Sequence, residues 1–232
     1  GFIGINLLKS LVNIKNYKII NIDKNPQKFE SKNIKFVKSN LKSIEKIKKY
    51  FLGANVIIYL SGISDLYSAS NDPVGTVTEN ILPLVKILDQ IKTKKNIKFI
   101  FASSLYTEGV YGSFYKVSKI SSEQYIKEFS KKHNLNYIIL RFGSLYGDYA
   151  DSNNGVQKFI SDAIFKKKIN YYGNPDDLRE YINILDASEI IINYIKNDKK
   201  NISIIVSGNQ SIKMKDFFEL ISSILDEKIT IN

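Results

Sequence analysis

The first 23 residues of the chain, GFIGINLLKSLVNIKNYKIINID, contain the two kinds of element from which the fold can be predicted. Glycines at positions 1 and 4 open an apolar stretch that predicts a helix from about Phe2 to Val12. The run Lys18–Asp23 is almost continuously apolar and ends in a carboxylate, which is typical of a strand buried on both faces of a sheet. A helix followed by a buried strand indicates an alternating α/β fold.

The same alternation continues through the first 142 residues. Runs of Ile, Val, Leu and Phe predict further strands, and longer amphipathic stretches predict the helices between them. The predicted strands are 34–37, 56–60, 97–102 and 137–142, and the predicted helices are 44–52, 73–92 and 115–132. Strands that alternate with helices in this way predict a parallel, doubly wound sheet.

After Gly147 the pattern loosens, but no repeat, low-complexity tract or flexible linker separates the two parts. The predicted elements are a helix at 155–167, a turn at 173–177, a strand at 180–184, a helix at 186–197, a strand at 202–206 and a helix at 213–226. We therefore expect a large domain over residues 1–147. Residues 148–232 are expected to form a smaller lobe, from which some segments return to the sheet.

Composition excludes several classes of protein. Apolar residues make up 44% of the chain and charged residues 25%, and no apolar run approaches the ~20 residues of a membrane span. Without cysteine the chain has no disulfide framework, thiolate nucleophile or sulfur-ligated metal site, which fits a reducing compartment. We expect a cytoplasmic protein with no membrane partner. The single histidine, His133, lies at a polar helix end, which argues against a histidine-based triad or metal site.

The net charge of +11 raises the question of a nucleic-acid partner. The lysines are spread along the chain and form no aromatic-flanked patch, so we expect no nucleic-acid partner. A basic surface also attracts anionic substrates and cofactors. The only arginines are Arg141 and Arg179. The planar guanidinium suits bidentate binding of a phosphate or carboxylate, and the alternative for either arginine is a structural ion pair.

The first helix and strand also indicate a cofactor. The stretch from Gly1 to Gly4 opens a helix, where free backbone N–H groups and the helix dipole favour a pyrophosphate. Asp23 follows about twenty residues later at a strand end, where a carboxylate can bind both ribose hydroxyls and repel a 2′-phosphate. This pattern favours NAD over NADP. The alternative is that the glycines only allow tight packing of the helix on the strand.

A second constellation indicates acid–base chemistry. Tyr115 and Lys119 are four residues apart, so that on a helix they share one face, and Ser104 ends the preceding apolar run. A nearby ammonium favours the phenolate, so we expect Lys119 to lower the pKa of Tyr115 and make it a base near neutrality. Ser103 is the alternative to Ser104 as the hydroxyl.

With these residues in place, the chain resembles the extended short-chain dehydrogenase/reductase superfamily. Within it, the likeness is to the NAD-dependent epimerase/dehydratase branch that acts on nucleotide sugars. The matching stretches are Gly1–Gly4, Asp23, Val56–Ser64, Asn80, Phe99–Ser104, Tyr115–Lys119 with Glu123, Arg141–Gly147 and Arg179–Asp186. The resemblance implies a Rossmann-type fold in which residues 1–147 bind NAD and residues 148–232 mostly bind the substrate.

The resemblance also implies a role for individual residues. Ser104 is the expected catalytic hydroxyl, Tyr115 the general base, and Lys119 the residue that holds the nicotinamide ribose and tunes Tyr115. The expected cofactor-binding residues are Gly1, Phe2, Ile3, Gly4, Asp23, Asn40, Leu41, Leu60, Ser61, Gly62 and Asn80, together with Tyr115 and Lys119. Arg179 resembles the arginine that grips the substrate diphosphate. Ser144 is the other expected substrate-binding residue, whereas Arg141 is expected to be structural.

Departures from the family pattern narrow the expected activity. Leu105 and Tyr106 stand where 4,6-dehydratases carry Asp and Glu, so a dehydratase would lack its acid and base. Asn40 replaces an acidic residue, Ser144 replaces an asparagine and Pro83 occupies a glycine site. The expected function is therefore a nucleotide-sugar epimerase similar to UDP-glucose 4-epimerase. A nucleotide-sugar dehydrogenase or reductase and a non-catalytic dinucleotide-binding protein are the alternatives.

Two further expectations concern the extent and assembly of the chain. The sequence starts at Gly1 with a helix, so we expect the first strand of the fold, and some C-terminal substrate-binding residues, to be missing. The resemblance also implies a homodimer formed through helices that flank the active site.

Overall fold

The structure is a computed structural model that describes residues 1–26, 29 and 31–232. Its strands are β1 (Ile19–Asp23), β2 (Ile34–Lys38), β3 (Val56–Tyr59), β4 (Lys98–Ser104), β5 (Asn136–Phe142), β6 (Ser144–Tyr146), β7 (Lys168–Ile169), β8 (Leu178–Asn183), β9 (Ile202–Val206), β10 (Ser211–Lys213) and β11 (Thr230–Ile231).

The helices are α1 (Phe2–Val12), α2 (Ile44–Gly53), α3 (Leu66–Asn71), α4 (Pro73–Thr76), α5 (Leu82–Ile91), α6 (Ser113–His133), α7 (Gly155–Lys166), α8 (Ile184–Lys196) and α9 (Met214–Leu225). A π-helical stretch, Val77–Ile81, joins α4 to α5, and short 3-10 turns cover Leu41–Ser43 and Leu105–Thr107. Within the described ranges, no helix is both long and apolar enough to cross a membrane.

The main sheet has the order β3-β4-β5-β9, and all of its neighbouring strands are parallel. A separate parallel pair is formed by β1 and β2, with Asp23 opposite Lys38 at its end. β8 lies between β6 and β10, and β7 pairs with β11. Parallel strands joined by helices confirm the predicted α/β architecture.

Alternate side chains of the main sheet enter two different cores, as the period of two in a strand requires. On one face, Ile57, Phe99 and Ile139 pack with buried side chains of α2, α5 and α6. On the other face, Ile100 and Leu140 pack with buried side chains of α1 and α8. Helices on both faces explain why these strands are apolar almost throughout, and they make the sheet doubly wound.

A third apolar cluster lies within the predicted C-terminal lobe. It joins α7, β7 and α9 through Ala163, Ile169 and Phe218, and an aromatic contact between Phe159 and Phe218 extends it. In contrast, β9 and α8 from the same part of the chain belong to the main sheet and its second core. The division of the chain near residue 147 stays a prediction.

The structure differs from the predicted elements at one long helix and at several short pieces. The predicted helix 73–92 is interrupted by the π-helical stretch that ends just before Leu82 and Pro83. A proline has no N–H to donate to the preceding turn, so a regular α-helical ladder cannot run through Pro83. The helix α3 and the strands β6, β7, β10 and β11 were not predicted, because two to six residues are too few to show a period.

Candidate active site

Ser104, Tyr115 and Lys119 meet at the carboxyl end of β4. Ser104 is the last residue of that strand, and Tyr115 lies in the first turn of α6. Gly112, which precedes α6, has a φ of +119°, and a Cβ there would lie 2.8 Å from the Cβ of Lys116. A glycine is therefore needed for the tight turn that starts α6 beside Ser104.

The phenol of Tyr115 is buried and its pKa is raised to about 12. Burial is the largest cause, since it disfavours the charged phenolate; a hydrogen bond with Ser104 lowers the pKa, and Tyr106 raises it. Our expectation of a lowered pKa for Tyr115 is therefore wrong, since the net shift is upward. Desolvation outweighs the stabilising contacts.

Lys119 is also buried, with 8% of its surface exposed. Its Nζ donates a hydrogen bond of 2.8 Å to the carbonyl oxygen of Ala102 and lies 5.5 Å from the ring centroid of Tyr115. Burial lowers the pKa of Lys119 to about 8, while the negative charge of Glu123 opposes that fall. The amine thus lies beside the phenol. With a pKa of about 8, it begins to lose its proton just above neutral pH.

Of the two neighbouring serines, only Ser104 is directed toward Tyr115. Its Oγ accepts a hydrogen bond of 3.3 Å from the backbone N–H of Tyr106 and also contacts the Tyr115 phenol. The Oγ of Ser103 instead donates a hydrogen bond of 2.6 Å to the carboxylate of Glu123. The alternation of side chains along β4 separates the two hydroxyls, as a strand must.

Two tyrosines that we did not predict as site residues extend the cluster. The ring of Tyr106 contacts that of Tyr115 edge to face, with centroids 6.2 Å apart and an interplanar angle of 83°. The phenol of Tyr181 on β8 has a pKa raised to about 12, mainly by burial; Arg179 lowers that pKa and Tyr106 raises it. Tyr106 thus packs against the candidate base, and Tyr181 lies two residues after Arg179 on β8.

The sequence carried a weak signal for both residues. Tyr106 is two residues after Ser104, and Tyr181 is two residues after Arg179, so each follows a predicted site residue at the spacing of a strand. Neither tyrosine is followed four residues later by a lysine, which is the spacing that made Tyr115 a candidate.

The two arginines are used differently. Arg141 donates from Nε and Nη2 to the two carboxylate oxygens of Glu123, at 2.9 and 2.5 Å, and its Nη1 pairs with Glu108. Arg179 forms no ion pair with any acidic residue of the described ranges. Ser144 on β6 lies opposite Tyr181 in the ladder with β8, so both expected substrate residues belong to this small sheet.

The start of α1 fits a dinucleotide phosphate. Gly1 is its N-cap, with no side-chain cap and no acidic residue in the first turn, and a Cβ on Gly1 would meet nothing within 4 Å. The Oδ2 of Asp23, at the end of β1, lies 3.6 Å from the nitrogen of Gly1. A Cβ on Gly4 would touch Leu60 at 3.8 Å, so α1 runs close to the end of β3. Phe2 and Ile3 pack into the second core.

The loop after β3 is held by Asn80. A Cβ on Gly62, which has a φ of +136°, would lie 2.7 Å from the Oδ1 of Asn80, so the loop requires glycine there. That Oδ1 accepts a hydrogen bond of 2.6 Å from the N–H of Ile63, and the Nδ2 donates to Ser118 on α6 at 2.9 Å. Asn80 is buried, and its hydrogen bonds to Ile63 fix the loop that contains Ser61.

Asn40 and Leu41 follow the end of β2, where a 3-10 turn begins. The Oδ1 of Asn40 accepts a hydrogen bond of 2.9 Å from the N–H of Lys42 and caps the 3-10 turn. Leu41 lines an open cavity of about 280 Å³ together with Lys42, Thr78, Leu82, Pro83 and Lys86. The apolar side chains of this cavity are compatible with a flat ring system.

A doubly wound sheet with a glycine-initiated helix and a serine, tyrosine and lysine cluster at the carboxyl end of β4 is typical of a dinucleotide-binding enzyme. The chain belongs to the NAD dependent epimerase/dehydratase family, whose profile matches residues 1–206. NAD is therefore its cofactor, and the family assignment agrees with the resemblance inferred from the motifs.

Similar proteins include epimerases from bacteria and archaea. The chain is 25% identical over 216 residues to an uncharacterized UDP-glucose epimerase, YtcB, of Bacillus subtilis, with 81% of this chain and 67% of that protein covered. It superposes with a TM-score of 0.88 on the UDP-N-acetylglucosamine 4-epimerase of Methanobrevibacter ruminantium M1, at 24% identity, covering 100% of this chain and 81% of that one. The UDP-glucuronic acid 4-epimerase of Bacillus cereus, solved with NAD, gives a TM-score of 0.90 at 20% identity, with 100% and 83% covered.

Proposed function

We propose that the protein is an NAD-dependent nucleotide-sugar epimerase similar to UDP-glucose 4-epimerase. The observation that carries this proposal is the meeting of Ser104, Tyr115 and Lys119 at the carboxyl end of β4. This cluster offers a base for a sugar hydroxyl, and Arg179 on β8 offers a cation for a diphosphate. A nucleotide sugar has both groups, separated by the length of the sugar.

In the proposed reaction, Tyr115 accepts the proton of a sugar hydroxyl and later returns it. Ser104, which already contacts the Tyr115 phenol, donates a hydrogen bond to the same sugar oxygen. Lys119 places a positive charge beside Tyr115, which favours the phenolate that the reaction needs. Burial of both side chains excludes water, so these groups act on the substrate at short range.

The cofactor would be held by the residues around the start of α1. The N–H groups from Gly1 to Gly4 would bind the pyrophosphate, Asp23 the adenosine ribose, and Leu41 the adenine. Leu60, Ser61 and Gly62 would lie along the cofactor, in a loop that Asn80 holds in place. Lys119 would bind the second ribose. When bound, NAD takes a hydride from the sugar carbon and gives it back to the opposite face.

Arg179 is proposed to bind the diphosphate of the substrate, with Ser144 beside it. A guanidinium that is not neutralised by a described carboxylate is available for two parallel hydrogen bonds to phosphate oxygens. Arg141 cannot serve this purpose, since Glu123 and Glu108 already occupy its donors. This difference supports Arg179 as the substrate ligand.

A nucleotide-sugar dehydrogenase or reductase is the second candidate, because it would use the same serine, tyrosine and lysine. A 4,6-dehydratase is disfavoured, since Leu105 and Tyr106 supply no carboxylate next to Ser104. A reductase would consume free NADH in stoichiometric amounts, whereas an epimerase turns over with catalytic NAD. A non-catalytic protein would bind NAD without turning over any sugar.

The experiment that tests the proposal is a panel of UDP- and dTDP-sugars incubated with the protein and catalytic NAD. We expect at least one pair of 4-epimers to interconvert without net change in absorbance at 340 nm. Tyr115→Phe should lower that turnover by about 10²- to 10⁴-fold, the usual effect of losing a positioned acid–base group. Near-normal turnover of Tyr115→Phe would contradict the mechanism, and turnover only with added NADH would favour the reductase.

We also propose that the protein is a homodimer. The helices α4, α5 and α6 and the π-helical stretch contact one another, and they expose Val74, Val77, Leu82, Phe114, Val117 and Tyr125 by 43 to 72% of their surface. Such an apolar patch is typical of a protein interface. Sedimentation of Val117→Glu should show a monomer, with Ile224→Glu on α9 as the control that stays dimeric. A monomeric parent protein would contradict the proposal.

A cytoplasmic location remains our expectation from the cysteine-free sequence.

A further inference from the structure

A buried amide joins the first helix to the loop that follows β6. Asn6 lies in the second turn of α1, and only 1% of its surface is exposed. An amide in such a place is costly unless its N–H groups have acceptors. The acceptors of Asn6 therefore indicate what this side chain holds together.

The Nδ2 of Asn6 has two acceptors, which come from different parts of the chain. It donates a hydrogen bond of 3.0 Å to the carbonyl oxygen of Phe2, at the start of α1, and one of 2.8 Å to the carbonyl oxygen of Asp148. Phe2 belongs to the stretch that is proposed to bind the pyrophosphate, whereas Asp148 lies in the loop 147–154 between β6 and α7. One side chain thus connects positions that are 142 residues apart.

The loop 147–154 is also fixed at its two ends. Gly147 has a φ of +131°, and a Cβ there would lie 2.7 Å from the Cγ2 of Ile184, so the loop passes close to the start of α8. At the other end, the Nδ2 of Asn154 donates a hydrogen bond of 2.8 Å to the carbonyl oxygen of Leu145 on β6. The ends of the loop are therefore fixed to α8 and β6, and its contact with α1 is a separate constraint.

The same loop belongs to the proposed substrate side of the molecule. It starts three residues after Ser144, the expected substrate residue on β6, and together with the start of α7 it lines an open cavity of about 350 Å³. A second contact with α1 lies at the surface, where the Nζ of Lys9 donates a hydrogen bond to the phenol of Tyr149. Because water competes for that exposed contact, the buried bond from Asn6 is the stronger constraint.

We propose that Asn6 is a positioning residue, which holds the loop 147–154 against α1 and so couples the binding of NAD to the binding of the nucleotide sugar. The inference rests on the proposed function, in which α1 binds the pyrophosphate and Ser144 contacts the substrate. When the pyrophosphate fixes the first turn of α1, the amide of Asn6 transmits that restraint to Asp148 and to the loop beside β6. Coupling of binding free energies is reciprocal, so the substrate favours NAD by the same factor.

The first test measures this coupling by calorimetry, with UDP as the probe and with or without saturating NAD. In the parent protein, NAD should lower the Kd of UDP by about fivefold or more. In Asn6→Leu, which has a similar volume and no donor, that ratio should fall below about twofold. Ser10→Ala is the matched control and should keep the parent ratio, because it removes a hydrogen bond that stays within α1. A parent ratio near one, or an unchanged ratio in Asn6→Leu, would overturn the inference.

The second test needs no substrate, since it follows the exchange of backbone amide hydrogens by mass spectrometry. Saturating NAD should slow exchange in residues 147–150 of the parent by about threefold or more, and it should have no such effect in Asn6→Leu. If Asn6→Leu does not fold, Asn6→Ala takes its place with the same expected loss. Exchange that NAD leaves unchanged in the parent, or slows equally in the variant, would also count against the inference.

The two tests separate failure of the inference from failure of the proposed function. Protein that binds no UDP, or turns over no nucleotide sugar, would contradict the proposed function. The exchange of residues 147–150 then still decides whether Asn6 transmits NAD binding to the loop. Protein that turns over a sugar but shows equal coupling in the parent and in Asn6→Leu would contradict the inference alone.

Discussion

Replacement of Lys119 by methionine separates the stability of the fold from its function. Methionine has a similar length and no charge, so it fits the buried position of Lys119 without the cost of desolvating an ammonium. In the parent protein that cost is visible as a pKa lowered to about 8 by burial. We expect Lys119→Met to be inactive and yet less sensitive to pH in its stability.

The magnitude follows from the two pKa values of Lys119. A fall from the ordinary 10.5 to about 8 in the folded state corresponds to about 3 kcal/mol, at about 1.4 kcal/mol for each pH unit. Below pH 8 the lysine is protonated in both states and the folded protein bears the full cost. As the pH rises from 8 to 10.5 the folded protein releases the proton first, so its stability rises relative to the variant.

The lost hydrogen bond to Ala102 lowers the stability of Lys119→Met by a similar amount at every pH, so the pH dependence is the quantity to measure. Urea unfolding at pH 7 and pH 10.5 should show the parent gaining about 3 kcal/mol relative to the variant. Lys127→Met, which removes a partly exposed lysine of the same helix, serves as the control and should show no such change. A parent–variant difference that changes by less than about 1 kcal/mol between these pH values would refute the reasoning.

Three other changes test separate parts of the site. Arg179→Lys should raise the KM for a UDP-sugar by about tenfold or more with little change in kcat, because one ammonium cannot replace a bidentate contact; an equal loss in kcat would place Arg179 in the chemistry. Tyr106→Phe removes a group that raises the pKa of Tyr115, so the acidic limb of the kcat/KM profile should move to lower pH, and a move to higher pH would contradict this. Gly62→Ala forces a Cβ against Asn80 at a φ of +136°; it should lower the free energy of unfolding by about 1–3 kcal/mol and weaken NAD binding, as measured by urea titration and calorimetry.

Much of the architecture could be read from local sequence. Each strand of the main sheet is a short apolar run, and each long helix has a one-sided apolar pattern, so both are visible within a single window of residues. The order of these elements predicted the doubly wound sheet. The spacing of Tyr115 and Lys119, the position of Asp23 and the run that ends at Ser104 predicted candidate site residues for the same reason.

Other features depend on elements that are distant along the chain. The pKa of Tyr115 was predicted in the wrong direction, because spacing reveals the nearby lysine but not the number of groups that bury the phenol. Tyr106 raises the pKa of Tyr181 although the two residues belong to elements that are distant along the chain, the turn after β4 and the strand β8. The sequence predicted a structural role for Arg141 but not its partners, since the carboxylates that bind it come from α6 and from the end of the turn after Ser104.

By itself, then, the sequence determined the kinds of element, their order and the chemical groups at the strand ends, since these follow from local periodicity and residue type. Only the tertiary structure decided which of those groups are buried, which are charged and which are already paired. Burial and pairing are sums over neighbours from the whole fold, and both determine how a phenol, an amine and a guanidinium behave.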